Sequence, residues 1–124
     1  PMDRPEDIEI HPRTGRVYVS LTKNPLRLRP DPGNPRIVNL SGHILELFPE
    51  RGDHGAARAG WNLFLAGGHP RRRGRYGPDG ASRPDAILSC PDNLAFSADE
   101  ALWVATDGAR KVQGVSDALY RMDT

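Results

Sequence analysis

Two proline–acid pairs carry most of the chemistry that this sequence could perform. Pro5-Glu6 and Pro91-Asp92 each stand immediately ahead of a run of alternating apolar residues, Ile8 and Ile10 after the first and Leu94 and Phe96 after the second. Carboxylates are hard oxygen donors, and two that converge offer part of a site for Ca²⁺ or another hard cation. The competing reading is that both acids cap turns or face water, the ordinary fate of Asp and Glu.

Other chemistries find little support. There is no Gly-x-Ser-x-Gly elbow, no phosphate-binding Walker loop and no dinucleotide fingerprint, and Cys90 has no histidine near it in sequence. His11, His43, His54 and His69 lack metal-binding spacing, and His43 reads as a structural hydrogen-bonding residue. Cys90 reads as a buried thiol. The basic run at 71–75 reads as a solvated loop, because no aromatic platform accompanies it. Asp107, followed by Gly108, reads first as a turn former, as do Asp31, Asp79, Asp85 and Asp99. Trp61, Trp103 and Tyr18 are expected in the core. If the chain does catalysis, metal-assisted hydrolysis is the class that remains.

The elements that must position these acids are strands. The 124 residues include 13 Gly and 12 Pro, are 37% hydrophobic and carry a net charge of +1, which favours a loop-rich β protein and argues against a dedicated nucleic-acid surface. Strands are expected at 7–11, 17–21, 42–48, 93–97, 101–106 and 118–122, with no sustained helical period. Residues 57–66 fit a helical turn or a strand equally. The segment 23–39, with four prolines, and the segment 67–85 are expected to be irregular. No run approaches the roughly 18 apolar residues of a membrane span, and no signal peptide opens the chain. Both ends read as cuts through a longer protein.

An internal repeat links the acids to the strands. "PEDIEIHPRTGRVYVSLT" aligns with "PDNLAFSADEALWVATD"; Pro5 and Pro91 are 86 residues apart, and Val17 and Leu102 are 85. Units of four strands in a β-propeller recur at about 40–45 residues, so this offset fits two blades, or one blade stretched by long loops. "GHILELF" and "ALYRM" would be the third strand of each copy. Strand starts converge on the central channel of a propeller, which would bring Glu6 and Asp92 into the same space. The fold expected is therefore all-β, residues 1–124 forming one piece of a propeller of four-stranded antiparallel blades, with repeat units beginning near 4 and 90.

At these residues a family resemblance appears. "RPEDIEIHPRTGRVYVSLTKN", "NPRIVNLSGHILEL" and "PDNLAFSADEALWVATDG", in that order, resemble the PhoX-type alkaline phosphatases. The resemblance implies a six-bladed propeller, of which this chain would be two to three blades, exported to the periplasm or beyond the cell. It implies hydrolysis of phosphate monoesters at a channel site holding Ca²⁺ and Fe³⁺, with the remaining ligands in other blades. Carried onto this chain, Glu6 and Asp92 resemble metal ligands, Arg4 a catalytic phosphate-gripping group, and Asn39 and Asn93 substrate-binding residues. A calcium-binding propeller without catalysis and a lactonase-type propeller hydrolase are the alternatives. No nucleic acid or membrane span is implied.

Overall fold

The computed structural model describes residues 2–68, 75–76 and 88–124. His69, Asp79, Asp85 and all of the basic run but the backbone of Arg75 lie outside the described residues. The strands form two antiparallel sheets. The first contains β1 (Pro5–Ile10), β2 (Val17–Leu21), β3 (His43–Pro49), β4 (Ala59–Ala66) and the two-residue β5 (Arg75–Tyr76), adjacent in that order. The second contains β6 (Pro91–Phe96), β7 (Leu102–Thr106) and β8 (Leu119–Met122), also in chain order. A 3-10 turn at Glu50–Gly52 follows β3, and a short helix, α1 (Ala109–Gln113), precedes β8. The segment at 57–66 that fitted helix or strand resolves as β4, where Leu63 and Leu65 pair with Leu45 and Ile44.

The repeat lies in the sheets themselves. β1, β2 and β3 recur as β6, β7 and β8, so the 86-residue offset spans one sheet stretched by long connections. The first strands of the two sheets, β1 and β6, run side by side, as inner strands of neighbouring propeller blades do.

The core sits between the sheets. Residues i and i+2 of a strand share a face. Tyr18, Ile44 and Phe64 on the first sheet meet Leu94, Leu102, Val104 and Met122 on the second. Phe64 and Phe96 both stack edge-on to Tyr18. The first sheet's opposite face holds Val17, Val19, Leu21 and Leu45, with Ile8, Ile10 and Trp61 at its margins. Trp61 is 45% exposed, against the expectation of a core residue, because it pairs with Leu47 on this outward face rather than on the one that meets the second sheet. Trp103 is half-buried for the corresponding reason: it alternates with Leu102 and Val104, which face the first sheet.

The 23–42 segment is irregular, as its prolines suggest, but it is braced from within. Asp3 is fully buried and accepts hydrogen bonds from Arg27 Nε and from Asn39 Nδ2, while its backbone N–H donates to Asn34. Arg27 also reaches Asp31, which in turn holds Asn34. Burial raises the Asp3 carboxyl, but the Asn39 and Arg27 bonds outweigh it and hold the group below the usual carboxylate range. Asn39 Nδ2 also donates to His43 Nδ1, so His43 carries its proton on Nε2 and donates to the Gly33 carbonyl. That is the structural role expected for His43. Gly42, at φ +70°, closes the segment; a Cβ there would strike the carbonyls of Leu21 and Thr22 and the Pro91 ring.

Burial, and then the nearby Arg36 and Arg27 charges, push the His43 pKa below its ordinary 6.5. The neutral ring belongs to the folded state, so its contribution is complete above pH 6.5 and is lost as pH falls below it. The thermal midpoint of the full-length chain is expected to decline between pH 7 and pH 5, and His43→Gln is expected to flatten that part of the profile. Gly42→Ala should lower stability by more than about 1 kcal/mol, read from chemical denaturation.

Candidate metal and phosphate site

The two proline–acid pairs occupy equivalent bends. Arg4, before Pro5, has φ +51°, and Cys90, before Pro91, has φ +57°. Left-handed backbone is uncommon for residues other than glycine and clusters at functional sites, at a cost of about 1–3 kcal/mol each. Each bend is closed the same way, by a backbone bond from the residue that follows the second strand: Thr22 N–H to the Arg4 carbonyl at 3.1 Å, and Asp107 N–H to the Cys90 carbonyl at 3.0 Å.

Both acids then sit in a break of the strand ladder. Pairing of β1 steps from Pro5–Leu21 to Asp7–Ser20 and skips Glu6. Pairing of β6 steps from Pro91–Thr106 to Leu94–Val104 and leaves Asp92 and Asn93 opposite Ala105 alone. Bulges of this kind re-aim side chains and recur next to active sites. Because β1 and β6 are neighbours, the two re-aimed carboxylates share one electrostatic environment. Burial, then repulsion from Glu6 and from Asp107, raise the Asp92 pKa.

Arg4 donates from Nη2 to Glu6 Oε1 at 2.7 Å, and both groups are accessible. Its other guanidinium N–H groups have no hydrogen-bond partner among the described residues. Asn93 is exposed beside Asp92, and its side chain has no hydrogen bond among the described residues. Asn39 differs from what was expected of a substrate-binding residue. It is 2% exposed and its amide is taken up by Asp3, His43 and the Gly42 N–H, which makes it a brace for the 23–42 segment. Cys90 is buried, donates weakly to the Leu40 carbonyl, and has its thiol pKa raised by burial, in keeping with a structural thiol.

Three residues gain a role that their sequence context concealed. Asp107 does form the turn expected of Asp-Gly, with Gly108 at φ +99°, yet its charge also acts on Asp92. The signal was available in the repeat, where Asp107 occupies the place of Thr22. Asp7, the acid next to Glu6, faces the other sheet: its Oδ2 accepts the Leu94 N–H at 2.8 Å. Glu9 lines a cleft at the other end of β1 and β6, near Ile10, Phe96 and the Arg13–Glu100 ion pair.

The donor set suits a hard cation in kind. Glu6 and Asp92 are oxygen donors, and Asp107 adds negative charge. In number they fall short of the six to eight oxygens that Ca²⁺ takes, and among the described residues no group of three or more His, Cys, Asp or Glu is arranged to hold a metal. No helix among the described residues is long and apolar enough to cross a membrane.

The family model described as alkaline phosphatase PhoX matches residues 1–121, and the chain belongs to that family. Among solved structures, it is similar to Pseudomonas fluorescens PhoX in complex with vanadate, a transition state analogue. Identity is 33% and the TM-score 0.82, over 98% of this chain and 23% of that one. The chain thus spans about a quarter of the length of the structure it matches. No curated protein matches it.

Raised by folding, the Asp92 pKa makes the native state lose stability as pH climbs past 3.8, so the ionised carboxylate is a burden at neutral pH. In chelated full-length chain, Asp92→Asn is expected to raise the thermal midpoint at pH 7. The gain should vanish below about pH 3.8, where wild-type Asp92 is protonated in both states. A lower midpoint at pH 7 would refute the assignment of Asp92 to a repulsive carboxylate group.

Proposed function

We propose that this chain is part of a metal-dependent hydrolase of phosphate monoesters, and that Glu6 and Asp92 are ligands to its cations. The observation that carries the proposal is the pair of equivalent strained, bulged bends, whose Glu6 and Asp92 charges act on each other and whose Glu6 is bonded to an accessible guanidinium. Membership of a family described as alkaline phosphatase, and likeness to a relative bound to a transition-state analogue, support the same reaction class.

Each residue has a defined task in this reading. Glu6 and Asp92 hold Ca²⁺ or Fe³⁺ together with oxygens from outside the described residues, in keeping with the propeller blades a longer chain would add. A cation held by Glu6 and Asp92 would supply polarisation of the phosphoryl oxygens and offset the charge that develops on them. Arg4 binds the phosphoryl group: one nitrogen rests on Glu6, and its remaining donors present the fork that suits equatorial phosphate oxygens. Asn93 offers an exposed amide to the ester beside Asp92. An exported location, periplasmic or extracellular, belongs to the same reading.

The full-length chain is expected to hydrolyse p-nitrophenyl phosphate and to lose that activity on chelation. Glu6→Gln keeps the size of the side chain but removes its charge, and should lower the rate at least a hundredfold while reducing bound metal. Full turnover by Glu6→Gln would remove it from the site. Bound calcium without any turnover would instead favour a calcium-holding propeller that does not catalyse.

A further inference from the structure

β2 and the residue after it turn alternate positions toward the second sheet: Tyr18 and Ser20 on the strand, and Thr22 just beyond it. Tyr18 enters the core, while the two hydroxyls reach the bend that carries Asp92. Ser20 Oγ accepts the Asp7 N–H at 3.0 Å and donates to the Asp92 carbonyl. Thr22 Oγ1 donates to the Pro91 carbonyl at 2.9 Å and lies 3.5 Å from Asp92 Oδ1. Through its backbone N–H the same Thr22 also closes the Arg4 bend. Thr22 is thus bonded to both bends at once, one ahead of Glu6 and one ahead of Asp92, and it is 2% exposed.

We propose that Thr22 is a positioning residue that sets the separation of the Glu6 and Asp92 carboxylates, and hence how well the pair holds a divalent cation. The proposal rests on the metal-dependent reading above. Thr22 itself is no ligand: it is buried, and its hydroxyl proton is committed to the Pro91 carbonyl. It acts by holding the backbone on either side of the pair. The β-branch assists, because two heavy atoms on Cβ restrict χ1 and keep the hydroxyl aimed at Pro91. Nothing on the second sheet repeats this device, since the equivalent position is Asp107.

Three substitutions in the full-length chain test it. Thr22→Val keeps the shape and removes the hydroxyl, Thr22→Ser keeps the hydroxyl, and Ser97→Ala removes a hydroxyl from the β6–β7 turn, where its bonds go to Asp99 and Ala101. Calcium affinity is measured by calorimetry beside p-nitrophenyl phosphate turnover and the thermal midpoint. Thr22→Val is expected to weaken calcium binding about tenfold and to lower kcat/KM in proportion. Thr22→Ser should recover most of both, and Ser97→Ala should change only the midpoint. If Thr22→Val does not fold, Thr22→Cys, of similar size and a weaker donor, should fall between Ser and a full loss in both readings. Wild-type calcium affinity and turnover in Thr22→Val, or in Thr22→Cys where that is the variant that folds, would overturn the role of Thr22 while leaving the phosphatase reading intact. A wild-type chain that neither binds calcium nor turns over the ester would overturn both.

Discussion

The seam between β1 and β6 is the constraint on which the rest of the structure depends. Each strand is bulged where its acid sits, and a bulge removes ladder partners from the backbone beside it. Leaving such a group buried and unpaired costs about 1–3 kcal/mol. The partners come from across the seam: Thr22 for the Pro91 carbonyl, Ser20 for the Asp92 carbonyl, and Asp7 for the Leu94 N–H. The same three bonds therefore join the sheets and permit the distortions that aim the carboxylates. A regular ladder would need none of them, but it would point Glu6 and Asp92 along the alternation of their strands instead of out of it.

Behind the seam, the 23–42 segment acts as a buttress rather than a mobile connection. Its buried polar centre begins at Asp3, the residue before Arg4, and passes through Arg27, Asn39 and His43 to Gly33. Its far end is tied to the other bend by the Cys90 N–H bond to the Ser41 carbonyl. Both strained residues, Arg4 and Cys90, are thus flanked by backbone that cannot relax freely, which is the condition for a left-handed non-glycine residue to persist. A buried ion pair is weak support for stability, since desolvation offsets much of its attraction. What the Asp3–Arg27 pair adds is a single conformation for a segment whose four prolines and exposed Leu26 and Leu28 would not otherwise define one.

Much of this frame could be read from the residues. Alternation located the strands, and the repeat aligned Pro5-Glu6 with Pro91-Asp92, two places where the backbone bends and bulges alike. What escaped reading depended on faces and on long-range partners. Trp61 looks like core in any local window, yet its exposure follows from its pairing with Leu47 on the outward face. The segment containing β4 carries too short a pattern to separate strand from helix, and only pairing with β3 decides it. Asn39 belongs to a motif that suggests function, while its burial comes from Asp3, 36 positions away. Asp7 and Thr22 carry no local signal at all, because what distinguishes them is a bond to the other sheet.

The two bends repeat in backbone and diverge in side chain, and that divergence polarises the site. Arg4 stands where the second bend has Cys90, and Thr22 stands where it has Asp107. The first bend therefore carries its own counter-charge, and Arg4 partly neutralises Glu6. The second has a neutral buried thiol behind its acid and a further acid beside it, so repulsion falls on Asp92. Arg4, Glu6, Asp92 and Asp107 together sum to two negative charges; Arg4 offsets Glu6 on the first bend, while Lys23, against Gly108, only partly offsets the two acids of the second. A field of that form is more negative toward Asp92 and more positive toward Arg4. The two turns of chain match in backbone, and the residues before and after the acids, which differ, give the pair its direction.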